Sequence, residues 1–244
     1  WDMNCLEQVC GICTMVINGR VRQSCSALVD QLDQPITLEP MSKFPNIRDL
    51  RVDRSRMFDY LKRIHAWVEI DGSHDLGPGP KMSPEDVAER YAYSRCMTCG
   101  CCLEACPQYE GDNYIGPQAI AQVRLMNMHP TGKMTRDERL SGIMGDDGIT
   151  NCGNAQNCVR VCPMSIPLTK AIYEENRETV IHGLFGWFRK PAEPAPAPSA
   201  ARSRPACRGS DAHHRTGPRR PWRWGRSPTP PPAPPPSMPW GSAR

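Results

Sequence analysis

Short apolar runs and helical stripes divide the first 190 residues of the chain, and neither pattern continues beyond them. Thr14 to Ile17 is β-branched and apolar. Asn18-Gly19 follows as a hairpin turn pair, and Arg20 to Ser24 can return as the partner strand. Ile36 to Glu39 reads as one further strand. Two or three strands are marginal without more sheet or a covering helix. The chain opens at Trp1, four residues before a cysteine, with no strand ahead of it. We therefore expect the N-terminal part of this sheet domain to be missing; cover by partner subunits is the alternative.

After Glu39 the period becomes helical. Asp53 can cap a helix from about Arg54 to Ile64, with Met57, Leu61 and Ile64 on one face. Asp71-Gly72 and Gly77-Pro78-Gly79-Pro80 mark an irregular crossing between domains. Ser83 is an N-cap and Pro84 a first helical residue, for a helix that delivers the chain to Cys96. Gly116-Pro117 opens a helix to about Met128 with a stripe of Ala119, Ile120, Val123, Met126 and Asn127. Met126 and Met128 read as core rather than cofactor contacts. Thr135 with Glu138 predicts a capping box for a short helix to Met144. A last helix runs from about Leu168 to His182 and stops at Gly183. The stretch after the crossing is thus expected to be all-helical.

From Pro191 onward the composition changes. Fifteen of the 26 prolines lie there, with Arg and Trp between them. Such a segment buries no core and is expected to be disordered, partly polyproline II. It carries nine Arg against one Glu and one Asp, so the net charge of +4 belongs to the tail. Residues 1–190 hold 21 basic and 24 acidic groups and show no basic patch with nucleic-acid motifs. No nucleic-acid partner is expected. No run of 18 apolar residues exists, so a membrane link is expected to go through a partner. No glycine fingerprint for flavin or nicotinamide and no Ser/His/Asp constellation is legible. His129, before Pro130, reads as a loop or cap residue.

The chemistry lies in 13 cysteines. Residues 96–107 read CMTCGCCLEACP and place Cys96, Cys99, Cys102 and Cys106 on the spacing C-x2-C-x2-C-x3-C-P. That run holds cubane iron–sulfur clusters, its fourth cysteine serving the other cluster of a pair. Residues 152–163 read CGNAQNCVRVCP and give Cys152, Cys158 and Cys162 on the same grid, with Ala155 where the second cysteine would stand. Cys5-x4-Cys10-x2-Cys13 is the plant-type spacing for a two-iron cluster, and Cys25 is the natural fourth ligand. Cys101 lies off the grid and reads as a small packed thiol; Cys207 stands alone in the tail. A zinc site could use Cys96-x2-Cys99, but zinc does not account for two matching grids.

Cross-ligation then fixes the expected sets. Cys5, Cys10, Cys13 and Cys25 hold a [2Fe–2S] cluster. Cys96, Cys99, Cys102 and Cys162 hold a [4Fe–4S] cluster. Cys106, Cys152 and Cys158 offer only three thiolates, because a methyl cannot bind iron. A [3Fe–4S] cluster is expected there, and a four-iron cluster with water on its open corner is the rival. Three clusters in series make a path for electrons between partners, with no catalytic residue in this chain.

These motifs, with SRCMTCGCCLEACP, IGPQAIAQVRLMNMHPTG and NCGNAQNCVRVCPMSIPLTKAI, resemble the iron–sulfur subunits of succinate dehydrogenase and fumarate reductase over residues 1 to about 188. The resemblance implies an α+β chain in three parts. Residues 1–76 would be the C-terminal part of a β-grasp [2Fe–2S] ferredoxin domain, 77–190 a helical bacterial-ferredoxin-like domain with two cubane-type clusters, and 191–244 the tail. It implies an FAD-bearing flavoprotein partner, a membrane anchor, and electron flow to quinone at the cytoplasmic face of a bacterial inner membrane. Some members place a Trp after the first C-P and a His after the first cysteine of the second run, both near the quinone. Gly111 and Gly153 stand at those positions here, and only Pro107 matches. The anchor is then expected to build most of the quinone site, with haem b and menaquinone as candidates. The iron–sulfur subunit of another dehydrogenase, oxidising glycolate or glycerol phosphate, is the runner-up. Ala155 and the separate Cys5–Cys25 loop argue against it.

Overall fold

The hairpin forms around its apolar strand. In the computed structural model, whose described residues are 4–68 and 81–186, β1 (Thr14–Ile17) pairs antiparallel with β2 (Arg20–Gln23), Val16 opposite Val21. β3 (Leu38–Glu39) adds to the other edge of β1, giving the order β2-β1-β3. β1 is central because it is the apolar strand: Thr14, Met15 and Ile17 are all buried. β2 stops one residue short of the expected Ser24. Residues Ser24–Ser26 turn as a 3-10 helix, and the Ser24 N–H donates to the Cys13 carbonyl at 3.1 Å. That turn brings Cys25 back toward the first cysteine loop.

A two-stranded ribbon, β4 (Asn46–Arg48) with β5 (Arg51–Val52), was not legible in the sequence. Its strands are mostly exposed and only three and two residues long, so no apolar alternation marks them. α1 (Ser55–Arg63) follows; its N-cap position is Arg54 rather than the expected Asp53, whose carboxylate accepts from the Ser55 N–H at 2.8 Å just ahead of the helix. Met57, Tyr60 and Ile64 are its buried face.

α2 (Pro84–Ser94) starts as expected: the Ser83 Oγ accepts from the Asp86 N–H at 3.1 Å, with Pro84 in the first turn. One turn, α3 (Cys101–Glu104), lies inside the first cubane run. α4 (Pro117–Asn127) is buried on more sides than a stripe, since Pro117 through Ala121, Val123, Leu125 and Asn127 are all covered. It is the central helix, touched by α1 and α2 and by α5 (Arg136–Gly142) and α7 (Leu168–Gly186). α6 (Asn157–Val161) is a second single turn, within the later cysteine run. Among the described residues after 80 no strand occurs.

Two expected helix signals fail. The Thr135 hydroxyl does not cap α5. Residues Gly132–Thr135 already form a 3-10 turn that leads straight into α5, and the Thr135 Oγ1 donates to the Gly132 carbonyl at 3.3 Å. α7 does not stop at Gly183 but runs to Gly186. Gly183 stays within the helix, and glycine inside a helix costs only about 1 kcal/mol.

One apolar cluster joins Met41 and Phe44 to α1, to Leu103 of α3, to α4 and to the start of α7. Polar ties cross the same ground. The Glu104 carboxylate accepts from the Ser42 N–H (2.8 Å), the Ser42 hydroxyl (2.6 Å) and the Lys43 N–H (3.1 Å). Fully buried Arg139 donates to the carbonyls of His65, Trp67 and Gly132 and to the Asn127 side chain. His129 accepts at Nδ1 from the N–H groups of Thr131 and Gly132, the expected cap role. The crossing at 71–80, with the boundary at 76/77, and the tail with Cys207 lie outside the described residues. No helix among those described is long and apolar enough to cross a membrane.

Candidate metal centres

The first cysteine loop is shaped by left-handed residues. Leu6 (φ 61°), Gln8 (φ 58°) and Gly11 (φ 69°) alternate with ordinary ones and curl the chain. That curl turns successive N–H groups inward, which makes an anion-binding concavity. The N–H groups of Glu7 and Val9 each donate to Cys5 Sγ at 3.4 Å. With the Cys10 N–H they hold the Cys5 thiol down to about 6. Cys10 stands close enough to Cys5 to bond it, and Cys25 meets Cys13 and Cys5 from the turn after β2. The structure therefore brings together all four cysteines of this set.

The other cysteines divide between two small cavities. Cys96, Cys99 and Cys102, from the end of α2 through α3, line one of them together with Cys162, the residue after α6. Thr98 (φ 55°) and Gly100 (φ 90°) curl that loop. Cys106, Cys152 and Cys158 line the other, and Ala155 is on its wall. Here Asn154 (φ 52°) and Gln156 (φ 60°) are the left-handed residues. The three cysteine loops share one local device, and each run sends its last cysteine to the other run's cavity.

Burial pushes Cys96 and Cys158 up to about 11, and Cys102 well above the ordinary thiol value. Bare thiolates are unfavourable in such dry pockets and need a cation's charge beside them. Cys99 goes the other way, to about 7. A hydrogen bond from Cys101 holds it down, and the Arg54 guanidinium helps. Cys101 is 1% exposed, with Sγ 4.0 Å from Thr14 Oγ1, and it also borders the Cys96 cavity. No three His, Cys, Asp or Glu side chains among the described residues converge as one metal ion requires. A single zinc holds sulfur at about 2.3 Å from one point. These cysteines instead stand around cavities, as thiolates gripping the corners of a cluster would. Two buried polar side chains with no well-formed hydrogen bond among the described residues, Tyr114 and Gln118, face the same cavities.

Sequence reasoning missed three residues. Arg54, expected only as a helix start, donates from Nη1 to the carbonyls of Gly11 (2.7 Å) and Cys99 (3.3 Å). Its charge lies near Cys99, Cys10, Cys101 and Cys13, so it bridges two cysteine loops. Tyr114 and Gln118 flank Gly116-Pro117 and carried no spacing signal. At the two positions where a Trp and a His were sought, other side chains take the space. Arg56 lies against Gly111, and a Cβ at Gly153 would stand 2.7 Å from Gln108 Nε2.

Residues 1–59 match the 2Fe-2S iron-sulfur cluster binding domain family, and residues 92–166 the 4Fe-4S dicluster domain family. The succinate dehydrogenase iron-sulfur subunit of Bacillus subtilis is 56% identical over 189 residues, covering 77% of this chain and 75% of that protein. The fumarate reductase iron-sulfur subunit of Wolinella succinogenes is 32% identical, covering 74% and 77%. A chain of the Mycobacterium smegmatis Sdh1 complex in the apo form shares the fold, with a TM-score of 0.64 at 24% identity over 75% of this chain and 77% of that one. With cysteine loops of this geometry and relatives of this identity, the chain belongs to the family of succinate dehydrogenase and fumarate reductase iron–sulfur subunits.

Proposed function

We propose that this chain is the electron-transfer subunit of a succinate:quinone oxidoreductase. Electrons enter from the FAD of a flavoprotein subunit and leave to quinone at a membrane anchor, and this chain transforms no substrate. Cys5, Cys10, Cys13 and Cys25 would hold [2Fe–2S]. Cys96, Cys99, Cys102 and Cys162 would hold [4Fe–4S], and Cys106, Cys152 and Cys158 would hold [3Fe–4S]. When bound, these clusters supply one-electron carriers in series. The residues around them orient the thiolates, exclude water and set the local charge.

The observation that carries this reading is the division of the seven on-grid cysteines, four and three, between two cavities, with off-grid Cys101 also bordering the first and Ala155 on the wall of the second. The family matches and the Bacillus subtilis relative support the cluster types and the complex. The chain would sit peripherally on its anchor at the cytoplasmic face of the membrane. Arg56 and Gln108, filling the space at Gly111 and Gly153, support a quinone site built mainly by the anchor, with haem b and menaquinone as its candidate components. Fumarate reduction by the same path in reverse is the second reading, with which the Wolinella succinogenes relative is consistent.

Anaerobic iron and acid-labile sulfide assays of the assembled complex test the assignment. About nine irons per chain, outside any haem, are expected from two-, four- and three-iron centres. Near-stoichiometric zinc with little sulfide would refute it.

A further inference from the structure

Two buried polar side chains at the candidate cluster cavities complete no hydrogen bond of good geometry among the described residues. Tyr114 is fully buried, and its hydroxyl has no well-formed hydrogen bond among the described residues. Gln118 is 1% exposed, and neither its amide nitrogen nor its amide oxygen has one. A buried donor left unpaired is costly, so two of them close together in sequence call for acceptors. Their neighbours Ile115, Ala119, Ile120 and Ala121 are fully buried and apolar, which makes these positions ones where an apolar side chain would be the cheaper choice.

Their placement names the acceptors. Tyr114 lines the cavity bounded by Cys106, Cys152 and Cys158. The phenol makes no hydrogen bond of good geometry, and the Cys152 thiol is the sulfur within its hydrogen-bonding reach. Gln118 lines the cavity bounded by Cys96, Cys99, Cys102 and Cys162. The two residues are four apart, so the chain entering α4 and the first turn of α4 present one donor to each cavity. Tyr93 also has an unpartnered hydroxyl, but it borders neither cavity.

We infer that Tyr114 and Gln118 donate hydrogen bonds to sulfur atoms of the [3Fe–4S] and [4Fe–4S] centres respectively, each raising the potential of its own centre. This rests on the cluster assignment proposed above. Reduction adds negative charge that spreads over the sulfurs. An O–H or N–H aimed at sulfur therefore stabilises the reduced form more than the oxidised one, and cluster potentials respond to such bonds. The pair gives the chain a separate control on each of its last two centres.

Tyr114→Phe and Gln118→Leu in the full chain within the assembled complex are the test, read by redox titration with paramagnetic resonance. Tyr114→Phe should shift the three-iron couple toward the oxidised form by up to about tenfold, which is about 59 mV for one electron, and leave the four-iron centre unmoved. Gln118→Leu should do the reverse, and Tyr93→Phe should move neither. In wild-type protein each centre should couple to a proton that exchanges in D2O, and each variant should lose its own. Unmoved potentials at full cluster content would overturn the inference, as would both variants shifting both centres alike. If a variant fails to hold its cluster, the wild-type protein decides: a centre with no exchangeable coupled proton overturns it. If fully loaded wild-type protein gives no oxidised three-iron signal, the cluster assignment itself falls, and the inference with it.

Discussion

Gly11 lies so close to Cys99 that a Cβ on the glycine would stand 2.8 Å from both the Cα and the Cβ of the cysteine. The first cysteine loop is thus seated directly on the second. No side chain separates them there, and the Arg54 guanidinium clips the two carbonyls together. For a chain that passes electrons between centres, close seating of these loops keeps the first transfer within this subunit short.

Gly11→Ala should therefore damage two loops at once. Its φ of 69° already disfavours any side chain, by about 1–2 kcal/mol, and the added methyl meets backbone that cannot swing away. The expected result is loss of most of the two-iron spectrum and a disturbed four-iron signal, measured with iron content. A normal spectrum would mean the loops can part without cost.

Arg54→Met removes a half-buried positive charge beside Cys99 and Cys10. Both of the first two centres should become harder to reduce, by roughly 60 mV, a tenfold change for one electron. The three-iron centre should not move. Arg54→Lys keeps the charge but not the planar fork, so a smaller shift is expected. Equal shifts in all three centres on titration would point to a general loosening instead.

Ala155→Cys would offer a fourth thiolate to the second cubane grid. The oxidised three-iron paramagnetic signal should vanish, and a reduced four-iron signal should appear. The potential of that centre should fall and quinone reduction should slow, while electrons still reach the first two centres. A persistent three-iron signal, with the new cysteine free to a thiol reagent, would show that the loop cannot aim the sulfur inward.

Glu175 on α7 is fully buried, and burial raises its carboxyl from 4.5 to about 7. The Asn127 amide donates to it at 3.0 Å, while Arg124 stays 3.8 Å away, too far for a hydrogen bond. A carboxyl raised in the folded state binds its proton more tightly there than when unfolded. Stability from this group is therefore full below about 4.5, falls as pH rises, and levels off above about 7. The loss is on the order of 3 kcal/mol over that span. Glu175→Gln should flatten the decline and stabilise the protein at pH 8, as read from apparent melting temperatures across pH. An unchanged slope would mean that the carboxylate is ionised and paired throughout.

The sequence by itself determined what is local. The spacing of Cys5, Cys10 and Cys13 and of Cys96, Cys99 and Cys102 names the cluster types, because a few residues of covalent chain limit which sulfurs can share a small centre. The Asn18-Gly19 hairpin, the Ser83 cap and the Gly116-Pro117 opening are equally short-range, and each appears where it was read. The Thr135 box and the Gly183 stop failed for the same kind of reason: a preceding turn and a continuing helix overrode a local preference. Tertiary structure alone decided that Gly11 rests on Cys99 and that Arg54 spans 43 and 45 residues to reach both loops. It also decided that Tyr114 and Gln118 face cavities rather than apolar core. Those contacts follow from how α1 and α4 pack into one apolar cluster. Packing is set by shape and burial across the whole chain, which no spacing within a motif encodes.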